Sequence, residues 1–61
     1  MAMTTYEVKT DAVSETIEAV SRDEAAAKFA EGEGFEARTE DGLRQELENM
    51  DGWLHIIEDD E

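Results

Sequence analysis

The chain has 61 residues, 18 of them Asp or Glu and 5 Lys or Arg, for a formal net charge of -13, with no Cys and no Pro. That is one small domain at most, and it excludes disulfide cross-links and thiolate metal sites. No apolar run approaches the ~20 residues of a membrane span, no basic-then-apolar leader is expected, and a surface this acidic repels nucleic acid and anionic lipid alike.

Ile, Leu, Val and Phe number 11, a share that borders on the disordered class at this net charge. The placement of those residues argues for folding, because they recur at regular periods with caps and turns between them.

Thr4 to Thr10 alternates, with Tyr6 and Val8 on one face and Glu7 and Lys9 on the other. This is the pattern of a half-buried strand, rich in the Thr, Tyr and Val that pleated surfaces prefer. Residues 11–14 read as a hairpin loop. Glu15 to Val20 predicts a second strand, with Ile17 and Ala19 inward and Thr16 and Glu18 outward.

Ser21 followed three residues later by Glu24 is a capping box, and Asp23 and Glu24 sit where the helix dipole favours negative charge. Ala25, Ala26, Phe29 and Ala30 then form a buried stripe at i, i+4 spacing. The helix ends in Glu31-Gly32-Glu33-Gly34, with Gly32 or Gly34 in the left-handed cap. Residues 35–38 fit either an extended linker or a short strand. Thr39 is a second N-cap, and Leu43, Leu47 and Met50 mark an amphipathic helix over residues 40–50. Arg44 is placed to pair with Glu40 and Glu48 on the exposed side of that helix, and Gly52 is expected to stop it.

Trp53 to Glu58 is the most hydrophobic segment and predicts a third strand. Its apolar residues on both faces suggest a central place in the sheet. Trp53 reads as a core residue, with an interface anchor as the alternative, and Tyr6 as a similar residue with its hydroxyl at the sheet margin. The order is ββααβ: a small two-layer α/β (α+β) sandwich, with a three-stranded sheet and two helices on one face. The first two strands form an antiparallel hairpin, and the third lies beside the first. A single domain spans residues 1–61, with 1–3 and 59–61 frayed.

No catalytic set emerges. His55 is the single histidine and shares a face with Trp53 and Ile57, so a structural or surface role fits it better than catalysis. It lacks the companions that zinc requires. Neither Ser14 nor Ser21 has a nucleophile motif around it. The Asp-Gly and Glu-Gly steps lack the spacing of a calcium loop, and Gly32 and Gly34 lie among carboxylates that repel phosphate. The expectation is a non-enzyme with no cofactor and no metal.

The charge exceeds the ~2 to 8 that suffices to keep a small domain soluble. Duplex DNA presents one charge per ~1.7 Å of axis, roughly one per 100 Å² of surface. Spread over the ~4,000 Å² expected for a chain this size, the net charge here is about threefold more dilute. A concentrated face is therefore needed to match DNA. The candidate partner-binding carboxylates are Glu7, Glu15 and Glu18 of the hairpin, Asp23, Glu24, Glu31 and Glu33 of the first helix, and Glu40, Asp41 and Glu48 of the second.

In size, acidity, absence of Cys and small α/β layout, the whole chain resembles the DNA-mimicking anti-CRISPR proteins of phages and other mobile elements. The resemblance is one of character, without a shared motif. It implies an inhibitor that occupies a basic DNA-binding surface, such as that of a CRISPR effector complex in the cytoplasm of a bacterial or archaeal host, with no direct contact to nucleic acid or membrane. The alternative is the acidic, Lys-poor domain of an extreme halophile, whose charge holds water in high salt; Lys9 and Lys28 are the sole lysines.

Overall fold

In the computed structural model, which describes residues 2–59, the elements are β1 (Thr4–Thr10), β2 (Ser14–Ala19), α1 (Arg22–Glu33), α2 (Glu40–Asn49) and β3 (Leu54–Asp59). This is the ββααβ order predicted by the alternation and the caps. Asp59, expected to fray, instead lies in β3, opposite Thr5. The fraying expected of Met1, Asp60 and Glu61 lies outside the described residues.

The sheet order is β2-β1-β3, antiparallel throughout. Tyr6 pairs with Ile17 and Thr4 with Ala19; on the other side of β1, Val8 pairs with Ile56 and Thr10 with Leu54. Directly opposed residues project to the same face. Tyr6, Val8, Thr10, Ala19, Leu54 and Ile56 therefore make one buried inner face, and both helices cover it. The hairpin loop is held by the Thr10 hydroxyl oxygen, which accepts from the amides of Ala12 (3.1 Å) and Val13 (3.0 Å).

The stripe of α1 is buried as its spacing predicts, at Ala25, Ala26, Phe29 and Ala30. The alanines let the helix axis approach the sheet, and Phe29 fills the space between. Ser21 Oγ accepts from the Glu24 amide at 3.1 Å, while Glu24 Oε1 accepts from the Val20 amide at 2.8 Å. The box thus closes one residue upstream of the cap. Of the two glycines, Gly34 takes the left-handed cap, at φ 88°, and its N–H donates to the Ala30 carbonyl.

Residues 35–38 form a linker with no strand. The seven steps from Glu33 to Glu40 can span up to ~23 Å, enough to return along the ~18 Å of a twelve-residue helix. The linker does so, and α2 begins beside the start of α1: the Asp23 carboxylate accepts from the Glu40 amide at 3.0 Å. The two helices therefore run in the same sense, with their N-termini together at one end of the sheet. Their C-termini lie at the other end, by the hairpin loop. Thr39 caps α2 by accepting from the Gly42 amide, and Leu43 and Leu47 are buried.

Three expectations need correction. Met50 is 58% exposed and not part of the stripe, because the helix ends at Asn49 and Met50 leaves helical geometry as the C-cap. The stop is made by Asp51, in the left-handed region at φ 62°, and not by Gly52. Gly52 serves close approach, since a Cβ there would sit 2.9 Å from Asp11 Oδ1 and 3.2 Å from the Leu47 carbonyl. Finally, β3 is an edge strand. Its second apolar face looks away from the helices, and Trp53 and Ile57 are 46% and 45% exposed.

Replacing Phe29 by Ala should cost about 3–5 kcal/mol, most of what a domain of this length has. Urea denaturation should show the variant largely unfolded, with Met50→Ala within about 0.5 kcal/mol of the parent. Asp51→Gly should raise stability by up to about 1 kcal/mol, because the left-handed conformation is strained for Asp and free for Gly.

Candidate functional site

Five basic side chains face eighteen carboxylic ones, so where the cations go decides where net charge survives. Most of them sit toward the helix N-termini. Arg22 meets Glu40 in a bidentate pair, with Nε donating to Oε1 at 3.1 Å and Nη2 to Oε2 at 3.0 Å. The same Nη2 donates to the Ile56 carbonyl at 2.6 Å. Arg44 reaches Glu40 Oε2 at 3.4 Å and Asp41 at 4.0 Å. It does not pair with Glu48, because helical side chains lean toward the N-terminus and carry the guanidinium back over the first turn. Arg38 donates to the Glu36 and Ala37 carbonyls. Lys28 donates to the Glu18 carbonyl and lies 3.9 Å from Glu24.

The hydrogen bond from Arg22 holds the Glu40 carboxyl below its usual pKa; partial burial opposes this, and the positive charges of Arg22 and Arg44 add to it. The same bond raises Arg22. Asp23, Glu24 and Glu46 are also engaged within the chain, each accepting from a backbone amide: of Glu40, Val20 and Ala37 respectively.

The opposite end is different. It gathers Asp11 at the hairpin loop, Glu15 at the start of β2, Glu31 and Glu33 in the last turn of α1, Glu48 in the last turn of α2, and Asp51 just beyond. All six are exposed. Among the described residues, every ion pair involves Glu7, Glu24, Glu40 or Asp41, and none involves these six. Neither helix has a basic residue in its last turn. Each helix C-terminus adds roughly half a negative charge of its own. This end is thus an anionic cap whose nearby cation, Lys9, stands opposite Ser14 on the open sheet face and lies 3.8 Å from Glu7, outside the cap.

Of the ten carboxylates nominated from sequence, Glu15, Glu31, Glu33 and Glu48 come together here. Glu7 and Glu18 lie on the open sheet face, Glu7 at 3.8 Å from Lys9. Asp23, Glu24, Glu40 and Asp41 belong to the helix N-termini. Asp11 and Asp51 were not nominated. Both follow from the topology, which folds the hairpin loop against the end of α2, and no local pattern signals that.

The anionic cap surrounds a hollow of about 210 Å³ between the hairpin loop and the helix ends, lined in part by Val13, Phe29, Phe35 and Leu47. On the open sheet face, the Trp53 and His55 rings pack tilted at 56°, with centroids 5.2 Å apart. Trp53 is therefore a surface residue, not the core residue expected, and Tyr6 is 5% exposed within the core. Among the described residues, no three His, Asp or Glu side chains converge as a metal site would need, and no helix is long and apolar enough to cross a membrane. No protein-family model, curated protein or solved structure matches the chain.

Glu40→Gln should cost about 1 kcal/mol near neutral pH, since it removes one charge shared by two arginines at a partly exposed site. A carboxyl with a lowered folded pKa stabilises the fold above its unfolded pKa, and that contribution fades as pH falls through the folded value. Urea midpoints of parent and variant should therefore differ at neutral pH and converge in acid.

Proposed function

We propose that this chain is a non-enzymatic acidic binding protein that occupies the basic, nucleic-acid-binding surface of a partner, as a nucleic-acid mimic of the anti-CRISPR kind. The observation that carries this reading is the unpaired anionic cap at the helix C-termini. The accessible surface of 4046 Å² averages about 310 Å² per net charge, too dilute to imitate a duplex at ~100 Å² per charge. Engagement of the three arginines and Lys28 away from this end raises the density where the cap lies. The resemblance in size and charge to DNA-mimicking inhibitors supports the same reading. Such a protein works in the cytoplasm of the host cell, where it competes with target DNA for a Lys/Arg-lined channel and does no chemistry.

Glu15, Glu31, Glu33 and Glu48, with Asp11 and Asp51, are the contact residues. Glu7, Glu18, Asp23, Glu24 and Asp41 supply long-range attraction from the rest of the surface, whereas Glu40 is spent on Arg22 and Arg44. Attraction of this kind speeds association and weakens as salt rises.

A second reading, an acidic surface that serves hydration in molar salt, draws on the carboxylates that also lie outside the cap, on the open sheet face and at the helix N-termini. Circular dichroism against KCl separates the two: a mimic is folded at ~0.1 M salt, where the Debye length is ~10 Å, whereas a halophilic domain gains its structure only toward molar salt.

Pull-down on CRISPR effector complexes, followed by competition with target DNA, tests the mimic directly. The triple change Glu31→Lys, Glu33→Lys and Glu48→Lys should weaken binding by about 100-fold or more, as expected for desolvated charge pairs turned repulsive. Glu7→Lys with Glu18→Lys should weaken it less than about fivefold. Equal losses from the two sets, or binding indifferent to salt, would remove the cap from the interface.

A further inference from the structure

The hollow within the anionic cap is small, and its lining mixes apolar side chains with two carboxylates. At about 210 Å³ it falls below the ~300–1,000 Å³ of sites that enclose nucleotides or drug-sized ligands, and it suits one side chain. Phe29, Phe35 and Leu47 supply the apolar part of its wall. The Thr10 hydroxyl at its edge is already occupied: it donates to the Val13 carbonyl and accepts from the amides of Ala12 and Val13. The amides of Phe35 and Gly52 donate to the Ala30 and Leu47 carbonyls. The ionisable groups lining the hollow are the carboxylates of Asp11 and Glu33, which accept hydrogen bonds and do not donate them when ionised.

Resting on the proposed function and adding to it, we propose that this hollow receives a single arginine side chain from the basic partner. Charge complementarity selects that occupant. An anionic group would meet two carboxylates and two helix C-termini. A wholly apolar side chain would strip water from the carboxylates and return no hydrogen bond. A cation on an apolar stem satisfies both the walls and the rim. Between the two basic residues, arginine fits better. Its planar guanidinium is more weakly hydrated, stacks on an aromatic face such as that of the partly buried Phe35, and carries enough donors to serve two carboxylates at once. Gly52 takes part from the side, since the space left by its missing Cβ is where the Asp11 carboxylate lies.

The test uses the full chain and two peptides of equal charge, hexa-arginine and hexa-lysine, titrated at low salt by calorimetry and by amide-resolved NMR. Hexa-arginine should bind at least tenfold more tightly, with shifts concentrated on Phe29, Phe35, Leu47 and Gly52. Ala12→Trp places bulk at the mouth of the hollow without changing charge. It should reduce the arginine preference to the two- to threefold typical of a featureless acidic surface, and leave hexa-lysine binding unchanged. Met50→Trp serves the same purpose should Ala12→Trp fail to fold. Glu33→Gln should lower hexa-arginine affinity by about tenfold, more than Glu7→Gln, which removes the same charge elsewhere. Equal affinity for the two peptides with shifts spread over the cap, or an arginine preference that survives blockage of the hollow, overturns the slot and leaves the basic-surface reading standing. Failure of both peptides to bind overturns both.

Discussion

Two helix N-termini meet at one carboxylate, and the architecture depends on it. Glu40 opens α2, accepts both donors of Arg22 from the start of α1, and accepts again from Arg44 one turn along its own helix. Arg22 also donates to Ile56, and Arg44 lies 3.5 Å from the Leu54 carbonyl, so the cluster ties both helices to the edge strand β3. A domain this small buries little surface, and its net charge opposes compaction. Cross-linking three elements at one point limits what that repulsion can open.

The same cluster decides where negative charge remains. Two of the three arginines are committed to Glu40 and the third to linker carbonyls. Negative charge at helix N-termini is favourable and at C-termini unfavourable, by some tenths of a kcal/mol for each exposed group. Glu31, Glu33 and Glu48 stand at the unfavourable ends, without a cation in either last turn. Stability alone would place Lys or Arg there. A partner that brings the missing cations turns the local penalty into binding energy, which is the physical case for reading this end as an interface and the opposite end as scaffold.

Much of the fold was legible because its signals are local. The capping box at Ser21 and Glu24, the Thr39 cap, the alanine stripe and the alternation of β1 each depend on neighbours within four residues, and each is where its pattern puts it. Pairing of β3 with β1 was also readable. What failed was an inference from composition to burial. The run Trp53–Ile57 is apolar on both sides, as a doubly covered central strand would be, yet this sheet has one covered face, so half of that apolar surface meets water. Met50 continued a helical period past the point where the backbone stops obeying it. The candidate site was half legible for the same reason. Glu31, Glu33 and Glu48 were visible as exposed helix residues, but their assembly with Asp11 and Asp51 depends on two helices running in parallel, a consequence of the linker's reach that no local pattern encodes.

Asp51 belongs both to the helix stop and to the anionic cap. Its φ of 62° is a conformation that Gly would adopt without strain, and Asp is among the few other residues that tolerate it. Glycine does come next in the chain, at a position where the constraint is space and not φ. The helix stop therefore keeps a carboxylate at a site where a neutral glycine would be more stable. A carboxylate kept at this backbone position, beside the hollow, supports the proposed reading of this end as the interface.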